Sequence, residues 1–246
     1  MSDMTGQKIP NIEFINRHDH EWQRFSSAEL FGGKRVVVFA LPGAFTPTCS
    51  ALHLPRYEDL YHTLKHTGID EIYCVSVNDG FVMDAWRKYE KVHHVKLLAD
   101  GNGEFTKAMG MLTDKSAIGF GKRSRRYSMV VNDCVIEKMF IEADQDGDPF
   151  EVSDAETMLK YLSPESKIPS DITVFSRPNC PFCKNAKTLL ESKGLTYQEI
   201  KIGGDDFAQS TLRAVVGHSS VPQIFIDGKH IGGEDDLANY LNNKSS

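Results

Sequence analysis

Three cysteines stand where a sulfur atom could do redox chemistry: Cys49, Cys180 and Cys183. Ahead of Cys49 runs an apolar, β-branched stretch from Val36 to Ala40, followed by a loop punctuated by Pro42, Gly43 and Pro47. A helical pattern begins at about Thr48 and continues towards His62. Cys49 therefore falls in the first turn of a helix, where unpaired backbone N–H groups and the positive end of the dipole favour a thiolate. Acidity alone is not enough, because a free thiol is ~3% ionised at neutral pH and complete ionisation gains at most ~30-fold, about 2 kcal/mol. Larger acceleration needs groups that recognise the transition state. Thr46, three residues before Cys49, has a hydroxyl that could donate to the sulfur or to a substrate oxygen.

The same device occurs a second time. Ile172 to Ser176 reads as a strand, Arg177-Pro-Asn179 as a loop, and Cys180-Pro-Phe-Cys183 opens a helix over Lys184 to Lys193. A C-x-x-C pair also supplies half of a tetrahedral zinc site, but neither a second such pair nor an H-x₃₋₅-H tract follows it. The pair is read as a redox dithiol, and no metal is expected. Gly203-Gly-Asp-Asp206 lacks the Gly-Lys-Ser/Thr ending of a phosphate loop.

The elements that must position these sulfurs imply two α/β domains. The chain has 246 residues, 40% hydrophobic and 25% charged, enough for two modest cores. A net charge of −6 argues against nucleic acid as a partner. No run of 18 apolar residues exists and the N-terminus lacks an apolar signal core, so no membrane span is expected and a cytoplasmic location is inferred. In that compartment thiols stay reduced, and the five cysteines are catalytic or buried rather than structural bridges. Strands are expected at Ile9–Phe14, Glu71–Val77, Val95–Ala99, Tyr127–Val131 and Val135–Phe140, with helices near 26–33, 80–92 and 104–110. Asn132-Asp-Cys134 has hairpin-turn composition. Strands alternating with helices fit a mixed sheet covered by helices on both faces, as in a thioredoxin-like fold. Polar, proline-containing residues 163–170 form a linker between a domain at 1–162 and one at 171–246. Cys74 is expected in a core. The run Lys122 to Arg126 reads on its own as a solvated loop, and His53 either as a pocket residue or as a polar residue on the helix surface.

Pro42-x-x-x-Thr46-x-x-Cys49 resembles the peroxiredoxin signature at all four positions. The wording around Asn78–Trp86 and Leu97–Phe105 is similar to the type-five subfamily, over about residues 5–160. The resemblance implies that Cys49 attacks a peroxide, that Pro42 shields it, that Thr46 orients the peroxide, and that Arg126 holds the thiolate and polarises the substrate. Members with a resolving cysteine carry it about where Gln145 to Val152 lie. No cysteine occurs there, so a first domain that works with one cysteine and draws its reductant from elsewhere is favoured over Cys134 as the resolving residue. Residues 171–242 resemble a dithiol glutaredoxin, through Cys180-Pro-Phe-Cys183, Ser220-Val-Pro222 and Gly232-Gly-Glu-Asp-Asp236. That family would bind glutathione with Arg177, Phe182, the Val221 backbone beside a cis Pro222, the amides of Glu234 and Asp235, and the Asp235 side chain, for which N-capping is the plain structural alternative.

Together the resemblances imply a peroxidase drawing on glutathione as co-substrate, with no bound cofactor, and self-association as a dimer or tetramer. Peroxides and glutathione are then the partners, with a peroxide sensor relaying oxidation to other proteins as the rival function.

Overall fold

The computed structural model describes residues 3–143, 145, 147–166, 170–193, 195, 197–203 and 207–244. The chain divides into two compact units, Met1–Ser166 and Lys167–Ser246. The division falls within the polar 163–170 stretch, of which 167–169 lie outside the described residues, as do 204–206 of the Gly203 loop.

In chain order the first unit contains β1 (Glu13–His18), β2 (Glu21–Ser26), α1 (Ser27–Phe31), β3 (Arg35–Leu41), α2 (Leu54–Asp59), α3 (Tyr61–Lys65), β4 (Glu71–Ser76), α4 (Gly80–Tyr89), β5 (Lys96–Ala99), α5 (Glu104–Ala108), β6 (Leu112–Asp114), β7 (Lys122–Ser124), β8 (Tyr127–Asn132), β9 (Val135–Ile141) and α6 (Ala155–Leu162). Five strands form a mixed sheet in the order β5-β4-β3-β8-β9. β3 lies at its centre, parallel to β4 and antiparallel to β8. Its unbroken apolar run is what a strand buried on both faces requires. Val37, Phe39 and Leu41 pack into a core with Tyr57, Leu64, Trp86 and Met158, from α2, α3, α4 and α6. Val36, Val38 and Ala40 face the opposite core with Phe31 and Phe105, from α1 and α5. Local chemistry sets the helix starts. Ser26 and Glu29 form a reciprocal capping box on α1, and Asp79 and Asp154 accept N–H bonds at the starts of α4 and α6.

The second unit contains β10 (Ile172–Ser176), α7 (Pro181–Ser192), β11 (Gln198–Lys201), α8 (Gln209–Val216), β12 (Gln223–Ile226), β13 (Lys229–Gly232) and α9 (Glu234–Lys244). Its sheet has the order β11-β10-β12-β13, with β10 parallel to β11 and antiparallel to β12. Val174, Leu190, Ile224 and Leu237 form its centre. Each unit thus has the expected mixed sheet, with a strand–loop–cysteine–helix sequence leading off it.

Three expectations need correction. The strand expected over Ile9–Phe14 begins only at Glu13. Before it, Gly6 and Ile9 donate backbone bonds to the Ile136 and Cys134 carbonyls, so the segment lies along β9, while Pro10 has no N–H to extend a ladder. The helix expected from Thr48 to His62 starts at Pro47, makes a turn of π-helix over Cys49–His53, and breaks at Leu60. Lys122–Arg126 is not a solvated loop. Lys122–Ser124 pairs with β6, and Ser124 and Arg126 are buried.

Candidate active sites

Cys49 is fully buried at the entry to the π-turn, just beyond the end of β3. The loop before it is held by Asn78, whose Oδ1 accepts from the Ala44 amide (3.0 Å) and the Ser76 hydroxyl (2.7 Å). Behind it, Trp86 Nε1 donates to Ser50 Oγ at 2.8 Å. Thr46 lies in this loop, but its hydroxyl donates to the Gly43 carbonyl (2.9 Å) rather than to the sulfur, and its own carbonyl accepts the Ser50 amide. The group that reaches the sulfur is Arg126, whose Nη1 is 3.5 Å from Cys49 Sγ.

Arg126 is clamped on two sides. Nη1 also donates to His53 Nδ1 at 3.0 Å, and Nη2 donates to both oxygens of Asp148 at 2.5 Å. The face of Phe150 lies 5.4 Å from the guanidinium carbon. Burial lowers the Arg126 pKa, but Asp148 and the sulfur outweigh it, and the net shift is upward. His53 is buried, not on the helix surface. A guanidinium only donates, so His53 Nδ1 accepts, the ring proton sits on Nε2, and Nε2 donates to the Ser153 carbonyl at 3.1 Å. Ser153 is held in turn by Glu142, whose Oε1 accepts from the amides of Glu151, Val152 and Ser153 and from the Ser153 hydroxyl, at 2.7–2.9 Å. Asp148, Glu142 and Ser153 carry no sequence signal, because nothing in their spacing relates them to Cys49.

His53 is pushed down to about 3, first by burial and then by the Arg126 charge, with the Ser153 carbonyl acting in the opposite direction. The folded state therefore binds this proton later than the unfolded chain does. The stability it contributes is present above about pH 6.5 and falls by ~1.4 kcal/mol per pH unit as the pH drops towards 3. Denaturant titrations of the full chain between pH 7 and 4 should show that decline in the first unit, and His53→Gln should remove the one-proton component.

The other two cysteines of the first unit are elsewhere. Cys74 is buried in β4, and burial pushes its thiol well up. Cys134 lies in the β8–β9 turn, next to Asn132, which pairs with Arg35 at the start of β3. Cys49 instead packs with Phe39 and Leu41, towards the other end of that strand.

In the second unit Cys180 and Cys183 are joined in a disulfide. Cys180 caps α7, its sulfur accepting the Cys183 amide at 3.1 Å; it is half-buried rather than exposed, and Cys183 is buried. The Val221–Pro222 peptide is cis, and the Val221 carbonyl lies 3.8 Å from Cys180 Sγ. Phe182 is exposed. Arg177 donates to the Ser219 carbonyl and, with Cys180, Lys184 and Lys201, lines a cavity of about 740 Å³. Phe182, Val221, Glu234 and Asp235 do not line that cavity. Glu234 and Asp235 open α9. Asp235 is exposed and is not the cap: Asp236 Oδ2 accepts the Gly233 amide at 2.9 Å.

Comparison with known proteins supports both halves. The Redoxin family matches residues 4–159 and the Glutaredoxin family residues 172–231. The hybrid peroxiredoxin hyPrx5 of Haemophilus influenzae is 55% identical over 98% of this chain and 100% of its own length. The peroxiredoxin sll1621 of Synechocystis is 53% identical over 65% of this chain and 91% of its own. A crystal structure of reduced Prx3 from Vibrio vulnificus in complex with hydrogen peroxide superposes with a TM-score of 0.62 at 43% identity, covering 65% of this chain and 99% of that one. With Arg126 on the Cys49 sulfur in the first unit and a paired C-x-x-C in the second, the chain belongs to the peroxiredoxins, as a hybrid peroxidase in which a redoxin domain precedes a glutaredoxin domain.

Proposed function

We propose that this protein is a glutathione-dependent thiol peroxidase that reduces hydrogen peroxide and alkyl hydroperoxides at Cys49 and is recycled through the Cys180-Pro-Phe-Cys183 domain. The observation that carries this reading is the Arg126 guanidinium 3.5 Å from Cys49 Sγ. The guanidinium sets a positive charge beside the sulfur, and an N–H there is placed to donate to negative charge developing on a peroxide oxygen.

The thiolate attacks one peroxide oxygen, so an S–O bond forms as the O–O bond breaks. The leaving oxygen takes the electron pair and a proton and departs as water or an alcohol, and Cys49 becomes a sulfenic acid. Pro42 excludes bulk water. Thr46, its proton committed to Gly43, keeps lone pairs free to accept from a peroxide O–H. Glutathione then condenses with the sulfenic acid, releasing water and leaving a mixed disulfide. The reduced Cys180 thiolate takes the glutathionyl group and releases Cys49 as thiolate. A second glutathione attacks Cys180, and glutathione disulfide leaves. The net reaction is one hydroperoxide and two glutathiones to an alcohol, water and glutathione disulfide.

Glutathione would be held by Arg177, Phe182, the Val221 backbone beside Pro222, the amides of Glu234 and Asp235, and the free Asp235 carboxylate. No bound cofactor is needed, since cysteine sulfur and glutathione supply the electrons. Among the described residues no helix is long and apolar enough to cross a membrane. A reducing cytoplasm, where glutathione is kept reduced, suits this cycle, and a homo-oligomer, dimer or tetramer, is part of the same reading.

The test is purified full-length protein with hydrogen peroxide, glutathione, glutathione reductase and NADPH. Continuous NADPH oxidation in step with peroxide loss is expected. A single stoichiometric oxidation per chain would overturn the reading in favour of a sensor.

A further inference from the structure

Asp148 is a carboxylate in direct contact with the group that meets the sulfur. Both its oxygens lie 2.5 Å from Arg126 Nη2, while Nη1 of the same guanidinium is 3.5 Å from Cys49 Sγ. The two nitrogens belong to one planar fork, so the carboxylate stands at most roughly 8 Å from the sulfur. Asp148 is 40% exposed whereas the Arg126 side chain is 2% exposed, which puts the carboxylate on the solvent side of the buried cation. Pro42, Arg126 and Asp148 also share the wall of one cavity of about 40 Å³. Cys49 does not line this cavity, which lies on the far side of the guanidinium from the sulfur, where the Asp148 carboxylate stands.

We propose that Asp148 sets the charge selectivity of the Cys49 site, disfavouring anionic oxidants relative to neutral ones. The proposal rests on Cys49 being the sulfur that meets the oxidant. Lys115, Arg125 and Glu142 line the same cavity, but the charge that bears directly on Cys49 is that of Arg126, which without a counter-ion would attract any anion. Asp148 satisfies Nη2 from the solvent side and cancels most of that charge, so an anionic oxidant gains little from the guanidinium and is repelled by the carboxylate. A neutral peroxide experiences neither effect and needs only the Nη1 donor. At this separation and a dielectric response between water and protein interior, one unit charge alters the encounter of an anion on the order of tenfold.

The test compares hydrogen peroxide with peroxymonosulfate, a small peroxide that is a monoanion at neutral pH. With the latter, the thiolate takes the terminal hydroxyl oxygen as the O–O bond breaks; cysteine is oxidised by two electrons to the sulfenic acid, and sulfate leaves with the electron pair. Reduced full-length protein is mixed with each oxidant in single-turnover stopped-flow experiments, and oxidation at Cys49 is confirmed by mass spectrometry. Asp148→Asn should raise the ratio of the peroxymonosulfate rate to the hydrogen peroxide rate about tenfold, with the gain shrinking at high salt, and Asp148→Glu should restore a ratio near that of the wild type. A mere loosening of Arg126 would slow both oxidants together, and a ratio within twofold of wild type in Asp148→Asn would overturn the proposal. If wild-type Cys49 is oxidised by neither reagent, the assignment of Cys49 falls and the selectivity falls with it; if Cys49 is oxidised but the ratio does not move, only the selectivity falls.

Discussion

Arg126→Met is expected to slow the oxidation of Cys49 by hydrogen peroxide roughly 10²- to 10³-fold, the scale of losing one preorganised donor aimed at developing charge. In the proposed reaction the guanidinium does two jobs from one buried position: it sets a positive charge beside the sulfur and offers an N–H to the peroxide oxygen. Methionine retains much of the volume, so the loss reads on chemistry more than on packing. Arg126→Lys keeps the charge, yet a single ammonium cannot serve the sulfur and His53 on one side and Asp148 on the other, and a loss of at least ~10-fold is expected. Trp86 provides an optical signal for both variants, since its indole donates to Ser50, the residue after Cys49, and the chain has only two tryptophans. Stopped-flow fluorescence against peroxide concentration gives the rate constant. A value for Arg126→Met within threefold of wild type would remove Arg126 from the mechanism.

Cys180→Ser should leave one oxidising equivalent consumed per chain and bring glutathione-supported turnover to background, whereas Cys183→Ser should keep substantial activity. The asymmetry follows from position. Cys180 is half-buried at the N-cap of α7, where the helix dipole favours a thiolate, while Cys183 is buried one turn in. Serine is itself a good N-cap, so Cys180→Ser preserves the helix start and isolates the missing sulfur. The coupled NADPH assay gives the turnover, and mass spectrometry should find glutathione retained on Cys49 in the Cys180 variant. Normal cycling by Cys180→Ser would show that Cys49 is recycled directly and that the second domain is dispensable for this reaction.

The parts of these sites legible without coordinates are those built from contiguous chain. Pro42, Thr46 and Cys49 lie within eight residues of one another, and a strand, a proline-bearing loop and a helix start are each short-range patterns. The Cys180 unit was legible for the same reason. Local pattern and final structure part where long-range packing competes with local preference. The run Lys122–Arg126 has the composition of a solvated loop, but pairing with β6 and the Asp148 counter-charge bury its last arginine. Thr46 has the right place for a donor, yet a nearer carbonyl takes its proton.

By itself the sequence determined the kind of scaffold and singled out the sulfur atoms placed at its helix starts, because the geometry of a helix start and the nucleophilicity of cysteine are properties of a few consecutive residues. Only the tertiary structure decided what surrounds the first sulfur: the neutral tautomer of His53, the two-sided hold on Arg126, and the buried carboxylate of Glu142 that fixes the 151–153 turn. These groups meet from segments as much as 100 residues apart. A buried charge must find its partners wherever the fold brings them, and no local pattern in the chain records where that will be.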